Sequence, residues 1–571
     1  MLYSGARILI EALAEQGVDT VFGYPGGQVL FIYDELYKHS DRIRHILVSH
    51  EQQAAHAADG YARSTGRTGV CIATSGPGAT NLVTGIATAY MDSTPLVAIT
   101  GNVATDLLGK DSFQEVDITG ITMPVVKHNW IVKDAADLAE VVREAFIVAN
   151  SGRPGPVLID IPKDVTANKA EWRPAAVADE EAGSSGYSRR LAARATRKTF
   201  GEADIEQAAK MIAACKYPFI YAGGGVVASG ACAELRDFAE RLNAPVALTL
   251  MALGALDSGH PLCTGMIGMH GTVASNKAAQ KADLLITVGA RFSDRVTSRA
   301  DVFARNAKIL QFDIDPAEVN KNVQTDFAIT GGIKAILQQL LEKLPQREPN
   351  ASGWYDEVAL WKTKIPAAHH RKTSLHPRFI IEEAGKRLGS DAIAVTDVGQ
   401  HQIWAAQFYP HNRPRAFLSS GGLGTMGFGL GAALGAKVAN PARPVVLFTG
   451  DGSFRMNCGE LSTLAAYGIP VLVIVLNNGT LGMVRQWQTL FYEKRYSETT
   501  LDRPPDFVKL AGAYGLPAYR VSDEKGFPDA LTGALEHNSA GRTVLIDAVL
   551  DIDEMVMPMV PGGRPIDEQI L

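Results

Sequence analysis

The sequence predicts an α/β protein made of three doubly wound parallel-sheet domains. Two observations carry that expectation. Short apolar runs rich in β-branched residues recur along the 571-residue chain, with helical stretches between them. Such alternation puts a parallel sheet between two layers of helices. Two polar stretches, residues 181–203 and 346–375, interrupt it and read as linkers. They divide the chain into blocks 1–180, 204–345 and 376–571.

In the first block, Ser4 to Leu13 has the pattern of an amphipathic helix rather than of a signal or transit peptide. Strands are expected at Ile43–Ser49, Val70–Ser75, Leu96–Gly101 and Val157–Ile161. The turn segments G-Y-P-G-G (23–27) and S-G-P-G-A-T-N (75–81) follow apolar runs, and glycine there lets backbone approach a ligand closely. Glu51 stands where a strand gives way to an Ala-rich helix. It can be a carboxylate stabilised by the helix dipole. It can equally be a carboxylate in an apolar cleft, its pKa raised enough to share a proton with a ring nitrogen. Phe113 and Gln114, in D-S-F-Q-E-V-D, are either surface loop or groups that meet a substrate carbonyl.

The second block has strands at Phe219–Ala222, Leu284–Val288 and Ile309–Phe312. The third has Ile393–Thr396, Pro444–Phe448 and Val471–Leu476, with helical composition over Cys458–Tyr467. Its last two strands end in oxygen ligands: Asp451 within G-D-G, and the pair Asn477-Asn478. Ligands of open α/β sheets bind at strand carboxyl ends. A carboxylate, an amide and backbone carbonyls suit Mg²⁺, which keeps phosphate oxygens in its shell. The object held is therefore a diphosphate. The spacing, G-D-G followed by about two dozen residues and N-N, resembles the thiamine diphosphate motif. That chemistry needs a carboxylate at the pyrimidine N1′, which favours the functional reading of Glu51.

Composition narrows the classes. Hydrophobic residues are 46% and charged residues 20%, an ordinary globular balance. A net charge of −6, from 55 basic and 61 acidic residues, gives no footing for nucleic acid. Five scattered cysteines without a C-x-x-C suggest neither zinc nor a disulfide framework, and fit a reduced cytoplasm. No apolar run approaches the ~18 residues that span a bilayer.

The strings H-E-Q-Q-A-A-H-A-A-D-G-Y-A-R, S-G-P-G-A-T-N, S-F-Q-E-V-D and G-R-P-G-P-V-L-I-D-I-P-K-D-V resemble the catalytic large subunit of the acetohydroxyacid (acetolactate) synthase family. So do G-A-R-F-S-D-R, Q-F-D-I-D-P-A-E-V-N-K, G-G-L-G-T-M-G-F-G and L-G-M-V-R-Q-W-Q further along. The resemblance covers nearly the whole chain in order. It implies a pyrimidine-binding, a central FAD-binding and a diphosphate-binding domain, in that sequence. Glu51 would pair with the cofactor pyrimidine, bound mainly by a partner subunit. Asp451, Asn478 and the Thr480 carbonyl would hold Mg²⁺. Gly399, Gln400 and His401, with Gly452 and Ser453, would contact the diphosphate. Gly424 and Met426 would contact the aminopyrimidine, Met426 also propping the bent cofactor. FAD would meet Arg153, Gly223, Gly224, Gly225, Met269 and His270. Gly289, Arg291, Arg295, Val296, Asp313, Ile314 and Asp326 would complete its site. Phe113, Gln114, Lys163, Arg295, Met483, Val484 and Trp487 would surround the substrate. Two local departures stand out: Ser293 where the family usually has Asp, and M-A-L-G-A-L (251–256) for M-G-L-G-A-F.

The implied activity is carboligation. Pyruvate is decarboxylated on thiamine diphosphate, and the hydroxyethyl carbanion adds to a second pyruvate or to 2-ketobutyrate. The products, 2-acetolactate and 2-aceto-2-hydroxybutyrate, lead to branched-chain amino acids. FAD would be structural. A pyruvate oxidase-like enzyme, which also pairs thiamine diphosphate with FAD, is the alternative; Trp487 in G-M-V-R-Q-W favours the synthase. His369-His370 falls in the inter-domain connection, not at Phe113-Gln114, where decarboxylases of this superfamily carry their pair. A nucleotide-binding scaffold without catalysis is the non-enzyme reading, opposed by intact Glu51, Asp451 and Asn478. A homodimer or homotetramer with interfacial active sites, a small regulatory subunit and a cytoplasmic location follow as expectations.

Overall fold

The computed structural model describes residues 1–175, 199–347, 353–363, 375–503 and 505–571. The His369-His370 pair and residues 181–198 of the expected first linker lie outside them. Strand β1 (Leu2–Ser4) precedes helix α1 (Gly5–Glu15), capped by the Ser4 hydroxyl. The first sheet then collects β2 (Thr20–Tyr24), β3 (Arg44–Leu47), β4 (Gly69–Ala73), β5 (Leu96–Asn102), β6 (His128–Ile131) and β7 (Pro156–Pro162). Its order is β3-β2-β4-β5-β7-β6, parallel throughout. Strand β8 (Lys169–Glu171) returns antiparallel to β1.

The second sheet holds β9 (Pro218–Ala222), β10 (Val246–Leu248), β11 (Cys263–Met266), β12 (Leu284–Val288), β13 (Lys308–Asp313) and β14 (Phe327–Thr330), ordered β11-β10-β9-β12-β13-β14. The third holds β15 (Ile393–Thr396), β16 (Phe417–Leu418), β17 (Val445–Gly450), β18 (Leu472–Asn477), β19 (Ala518–Val521) and β20 (Val544–Val549), ordered β16-β15-β17-β18-β20-β19. The first and third sheets thus share one winding, while the middle sheet has the winding of dinucleotide-binding folds.

Strands β4, β5 and β7 are buried at every position, as strands covered on both faces must be. Val70, Ile72, Val97 and Ile99 face the core around α1. Cys71, Ala73, Ala98 and Leu158 face a second core, shared with Val395, Leu447, Val473 and Val475 of the third sheet. Between these two sheets cross α2 (Glu51–Thr65) and α3 (Phe428–Ala439). Small residues let their backbones touch: a Cβ on Gly435 would lie 1.8 Å from the Ala57 carbonyl oxygen, and one on Gly60 2.1 Å from that of Ala432. The Gln53 amide caps the crossing by donating to the Gly427 carbonyl at 3.0 Å.

Two local differences from the sequence expectation bear on the site. The apolar run Ile43–Ser49 is strand only over β3, because the backbone leaves the sheet at Val48 to start α2. Beyond β17 the chain enters helix α4 (Asp451–Asn457) at once, ahead of the Cys458–Tyr467 stretch expected to be helical. Helix α5 (Leu461–Ala466) follows after a single tight turn. The last residues fold back on the middle unit: the Val560 amide donates to the Met269 carbonyl, and Asn276 Nδ2 to that of Ile566. Among the described residues no helix is long and apolar enough to cross a membrane.

Candidate active site

The first sheet reverses its winding between β2 and β4, the middle one between β9 and β12 and the third between β15 and β17, and glycine turns sit at these reversals. In the third sheet the reversal lies between β15 and β17, so the turns at Gly399 and Gly450-Asp451 face one crevice. Gly399 has φ +150°, and a Cβ there would meet the His401 ring at 2.8 Å. A Cβ on Gly450 would meet the same ring at 2.7 Å. Both glycines therefore leave room for the imidazole to lie against the crevice floor. Burial pushes His401 down to about 3, so the ring is neutral, and its Nε2 is buried with no partner.

Asp451 is 1% exposed, and burial raises its carboxyl to about 6 against the pull of backbone amides, its own and those of Gly452, Asn478 and Gly479. Its Oδ2 also has no partner. Asn478 donates its amide hydrogen to Gln400 Oε1 at 3.0 Å, which leaves its oxygen for a ligand. Gln400 is itself fixed, donating to Gln486 Oε1 and to the Glu554 carbonyl. The Thr480 hydroxyl donates to Thr499, while the Thr480 carbonyl accepts no described backbone hydrogen bond. Ser453 donates to the Val398 carbonyl at 2.8 Å. A Cβ on Gly452 would meet Leu481 at 2.7 Å and the Met426 methyl at 3.8 Å, so Met426 overhangs this end. An unpartnered carboxylate oxygen, an amide oxygen and a carbonyl fit a hard cation that brings phosphate oxygens with it. Among the described residues no group of three or more His, Cys, Asp or Glu could hold a metal without such help.

The carboxyl end of the first sheet carries a separate cluster. Glu51 opens α2 and accepts the Asn81 amide at 2.9 Å. A Cβ on Gly78 would come within 3.3 Å of its Oε1. Gln114 has φ +59°, and its backbone lies against Gly76, where a Cβ would be 2.9 Å from the Gln114 oxygen. Phe113 beside it is 85% exposed. Lys163 starts the short helix after β7, at this same end. Glu51 makes no described hydrogen bond or ion pair with Asp451, Asn478, Gln400 or His401. Glu51 follows a strand of the first sheet and Asp451 a strand of the third.

A cavity of about 1860 Å³ opens at the reversal of the middle sheet and runs to the third. Its floor is backbone: Gly223, Gly224 and Gly225 after β9 meet Gly289 after β12. The Gly225 amide donates to the Gly289 carbonyl, and Gly289 has φ +56°. Asp313, at the end of β13, is raised to about 6 by burial, and His270 is lowered to about 4 by the same cause. Arg153, Met269, Arg291, Arg295, Val296 and Ile314 line it too. Arg153 reaches across from the first block to Glu318 at 3.2 Å. At the far end stand Gly399, Gly424, Met483, Val484 and Trp487, the last three on α6 (Gly482–Phe491), with the Trp487 ring 5.6 Å from that of Phe491.

Asp326 is elsewhere. It lies at the amino end of the sheet, accepting the Ile309 amide at 2.8 Å. Asp313 is at the opposite end of the same strand, and parallel winding keeps the two ends apart. Phe113, Gln114 and Lys163 likewise do not line the cavity that holds Trp487 and Arg295. Arg295 makes a solvent-exposed pair with Asp294 at 3.4 Å, too weakly to commit it.

Several supporting residues have no sequence signature of their own. Asp92 accepts the Gly421 and Gly422 amides at 3.0 and 2.7 Å, and Arg63 ties it to the Ser419 carbonyl. The loop leading to Gly424 is thereby gripped from the first domain. Asp397, raised to about 6 by burial, accepts the Gly427 amide at 2.7 Å. Asn81 ends the turn segment S-G-P-G-A-T-N, yet only its hydrogen bond to Glu51 singles it out.

Comparison with known proteins matches three descriptions to this chain. Residues 3–121 match "Thiamine pyrophosphate enzyme, N-terminal TPP binding domain". Residues 205–340 match the central domain of the same enzymes, and residues 397–548 the C-terminal TPP binding domain. The chain is 47% identical to the acetolactate synthase large subunit of Mycobacterium tuberculosis, over 99% of this chain and 91% of that one. It is 49% identical to the acetolactate synthase large subunit of Corynebacterium glutamicum, over 98% and 89%. A probable acetolactate synthase large subunit of Methanocaldococcus jannaschii is 47% identical over 98% and 94%.

Proposed function

The chain belongs to the thiamine pyrophosphate enzymes and, among them, to the acetolactate synthase large subunits; from that premise we propose how its residues divide the work. The enzyme decarboxylates pyruvate and joins the two-carbon unit to a second pyruvate or to 2-ketobutyrate, for branched-chain amino-acid synthesis. Bound thiamine diphosphate supplies the electron sink that makes decarboxylation feasible. The observation that carries the reading is the crevice between β15 and β17. There Asp451 Oδ2 and His401 Nε2 are buried and unpartnered, beside the free oxygen of Asn478.

Asp451, Asn478 and the Thr480 carbonyl hold Mg²⁺, and Gly399, Gln400, His401, Gly452 and Ser453 surround the diphosphate. Gly424 and Met426 support the pyrimidine. Glu51, held by Asn81, keeps a proton at the pyrimidine ring nitrogen. Gln114 and Phe113 face the reacting carbonyl, with Lys163 nearby. Met483, Val484, Trp487 and Arg295 receive the second keto acid. The middle cavity would hold FAD, with the Gly223–Gly225 and Gly289 turns, Arg153, Arg291 and Asp313 as the residues that bind it. That reading is supported by the dinucleotide winding and by Arg291, whose guanidinium has no described hydrogen bond or ion pair.

The working form is a homodimer or homotetramer with active sites at the subunit interface, where Glu51 of one chain serves the cofactor held by Asp451 of another. Exposed Tyr24, Leu30, Phe31 and Phe113 on the first domain fit burial against a second copy. The units 1–180, 204–345 and 376–571 are the pyrimidine, FAD and diphosphate domains. A small regulatory subunit and a cytoplasmic location complete the proposal. The test is a competition assay: pyruvate and 2-ketobutyrate together, both acetohydroxyacids quantified, with Mg²⁺ and FAD each present or withheld. Formation of acetate from pyruvate in place of acetolactate would refute it.

A further inference from the structure

Glu460 is a buried carboxylate that none of the roles above employs. It is 1% exposed and lies in the turn between α4 and α5. Among the described residues no cation pairs with it. A buried carboxylate without a cation is costly to keep, and burial lifts this one to about 7. What it holds is the backbone of the first domain: the Ser49 amide donates to both of its oxygens, at 3.3 and 3.1 Å.

The surroundings explain why that contact matters. Strand β3 is the edge of its sheet, and Glu51 follows it after three connecting residues. The Val48 amide still turns inward to the Gly23 carbonyl. The flanking amides of Leu47 and Ser49 point to the open side, where a sheet would need one more strand. The third domain takes them instead, Tyr467 through its hydroxyl at 2.9 Å and Glu460 through its carboxylate. The Ser49 hydroxyl adds contacts to the Gly459 carbonyl and to Ser462, at 3.2 and 2.6 Å. Thr463 donates to the Leu47 carbonyl at 3.3 Å. The chain is therefore pinned two residues before Glu51, while Asn81 pins the carboxylate itself.

We propose that Glu460 is a positioning residue for Glu51: by fixing the Ser49 amide it sets where α2 begins and so where the Glu51 carboxylate stands. The proposal rests on Glu51 being the group that shares a proton with the cofactor ring. A proton partner must be held to well within an ångström, and one ångström of misplacement can cost about a hundredfold in rate.

Four variants of the full chain test it: Glu460→Gln, Glu460→Asp, Glu460→Ala and Glu51→Gln. Each is loaded with Mg²⁺ and thiamine diphosphate. Cofactor Kd is measured by calorimetry, the thermal midpoint is recorded, and the near-ultraviolet circular dichroism of the bound iminopyrimidine tautomer is read alongside kcat. Glu460→Gln keeps an acceptor for the Ser49 amide and should keep the dichroic signal. Glu460→Asp falls one methylene short and Glu460→Ala offers no acceptor. Both should bind cofactor within about twofold of wild type, lose most of the signal and lose roughly 10- to 100-fold in kcat. A wild-type signal in either folded variant overturns the proposal. So does loss of the signal in Glu460→Gln equal to that in Glu460→Asp, or failure of both shortened variants to fold, which would make Glu460 a structural staple only. Glu51→Gln should lose the signal with Glu460 intact. If it does not, the reading of Glu51 fails rather than that of Glu460.

Discussion

Trp487 shows how much one side chain can decide. It projects from α6 into the end of the cavity and is braced by Phe491. The two acceptors differ by one methylene, and packing of one methylene discriminates by about 1–3 kcal/mol. Trp487→Leu removes the rigid wall and leaves the crevice of Asp451 intact. Acetolactate formation should survive while the preference for 2-ketobutyrate drops in the competition assay; an unchanged product ratio would move the pocket elsewhere. Asp160 makes a different residue-scale case. Thr100 Oγ1 and Asn102 Nδ2 donate to it at 2.6 Å each, yet burial pushes its carboxyl from 3.8 up to about 7. The folded state therefore holds its proton more tightly than the unfolded chain does. Its contribution to stability is whole below pH ~4 and is lost as pH rises to about 7. Urea unfolding of wild type and Asp160→Asn across that range should show the difference between them falling with pH, then levelling. A constant difference would contradict the buried-acid reading.

At the scale of elements, glycine placement governs. Replacing glycine by alanine inside a helix ordinarily gains up to ~1 kcal/mol. In α3 the sign reverses, because the Cβ of Gly435→Ala would lie 1.8 Å from the Ala57 oxygen. A loss of ~1–3 kcal/mol or more is expected from forced separation of α2 and α3, read as a lower thermal midpoint. Gly289→Ala acts in the middle sheet. Its φ of +56° disfavours a side chain, and the Cβ would stand 2.9 Å from Gly225 Cα. The two glycine turns would part. The purified variant should keep its fold and lose flavin absorbance, while thiamine diphosphate affinity, which depends on the third sheet, stays as it was.

At the scale of the molecule, the proposal that two chains complete each site between them has a direct test. Glu51 follows a strand of the first sheet and Asp451 a strand of the third, and α2 crosses α3 in the core that the two sheets share. Chains bearing Glu51→Gln and chains bearing Asp451→Ala should each be inactive alone. Mixed and reassociated, they should recover about a quarter of wild-type activity, since half of the random dimers are hybrids and each hybrid holds one intact site. No recovery on verified exchange would place a complete site within one chain.

The sequence by itself determined the class of sheet, several of the strands that form it, β17 and β18 among them, and the oxygen-bearing residues at the ends of those two. Those are local properties: β-branched runs such as Val471–Leu476, glycine turns after strands, and Asp451 and Asn478 at a spacing one strand–helix–strand unit imposes. It also determined Glu51 as a residue at a strand–helix junction, though not which of two roles it has. Boundaries blurred where a run outlasted its strand, as at Ile43–Ser49, because hydrophobicity persists after pairing stops. Tertiary structure decided which groups share a crevice. Asp326 reads as a companion of Asp313, yet strand direction sends it to the opposite end of the sheet. Asp92, Arg63, Asn81 and Glu460 make these contacts across gaps of 29 to 411 residues. A hydrogen bond at such separation leaves no periodicity in the sequence, because only the packing of one sheet against another creates it.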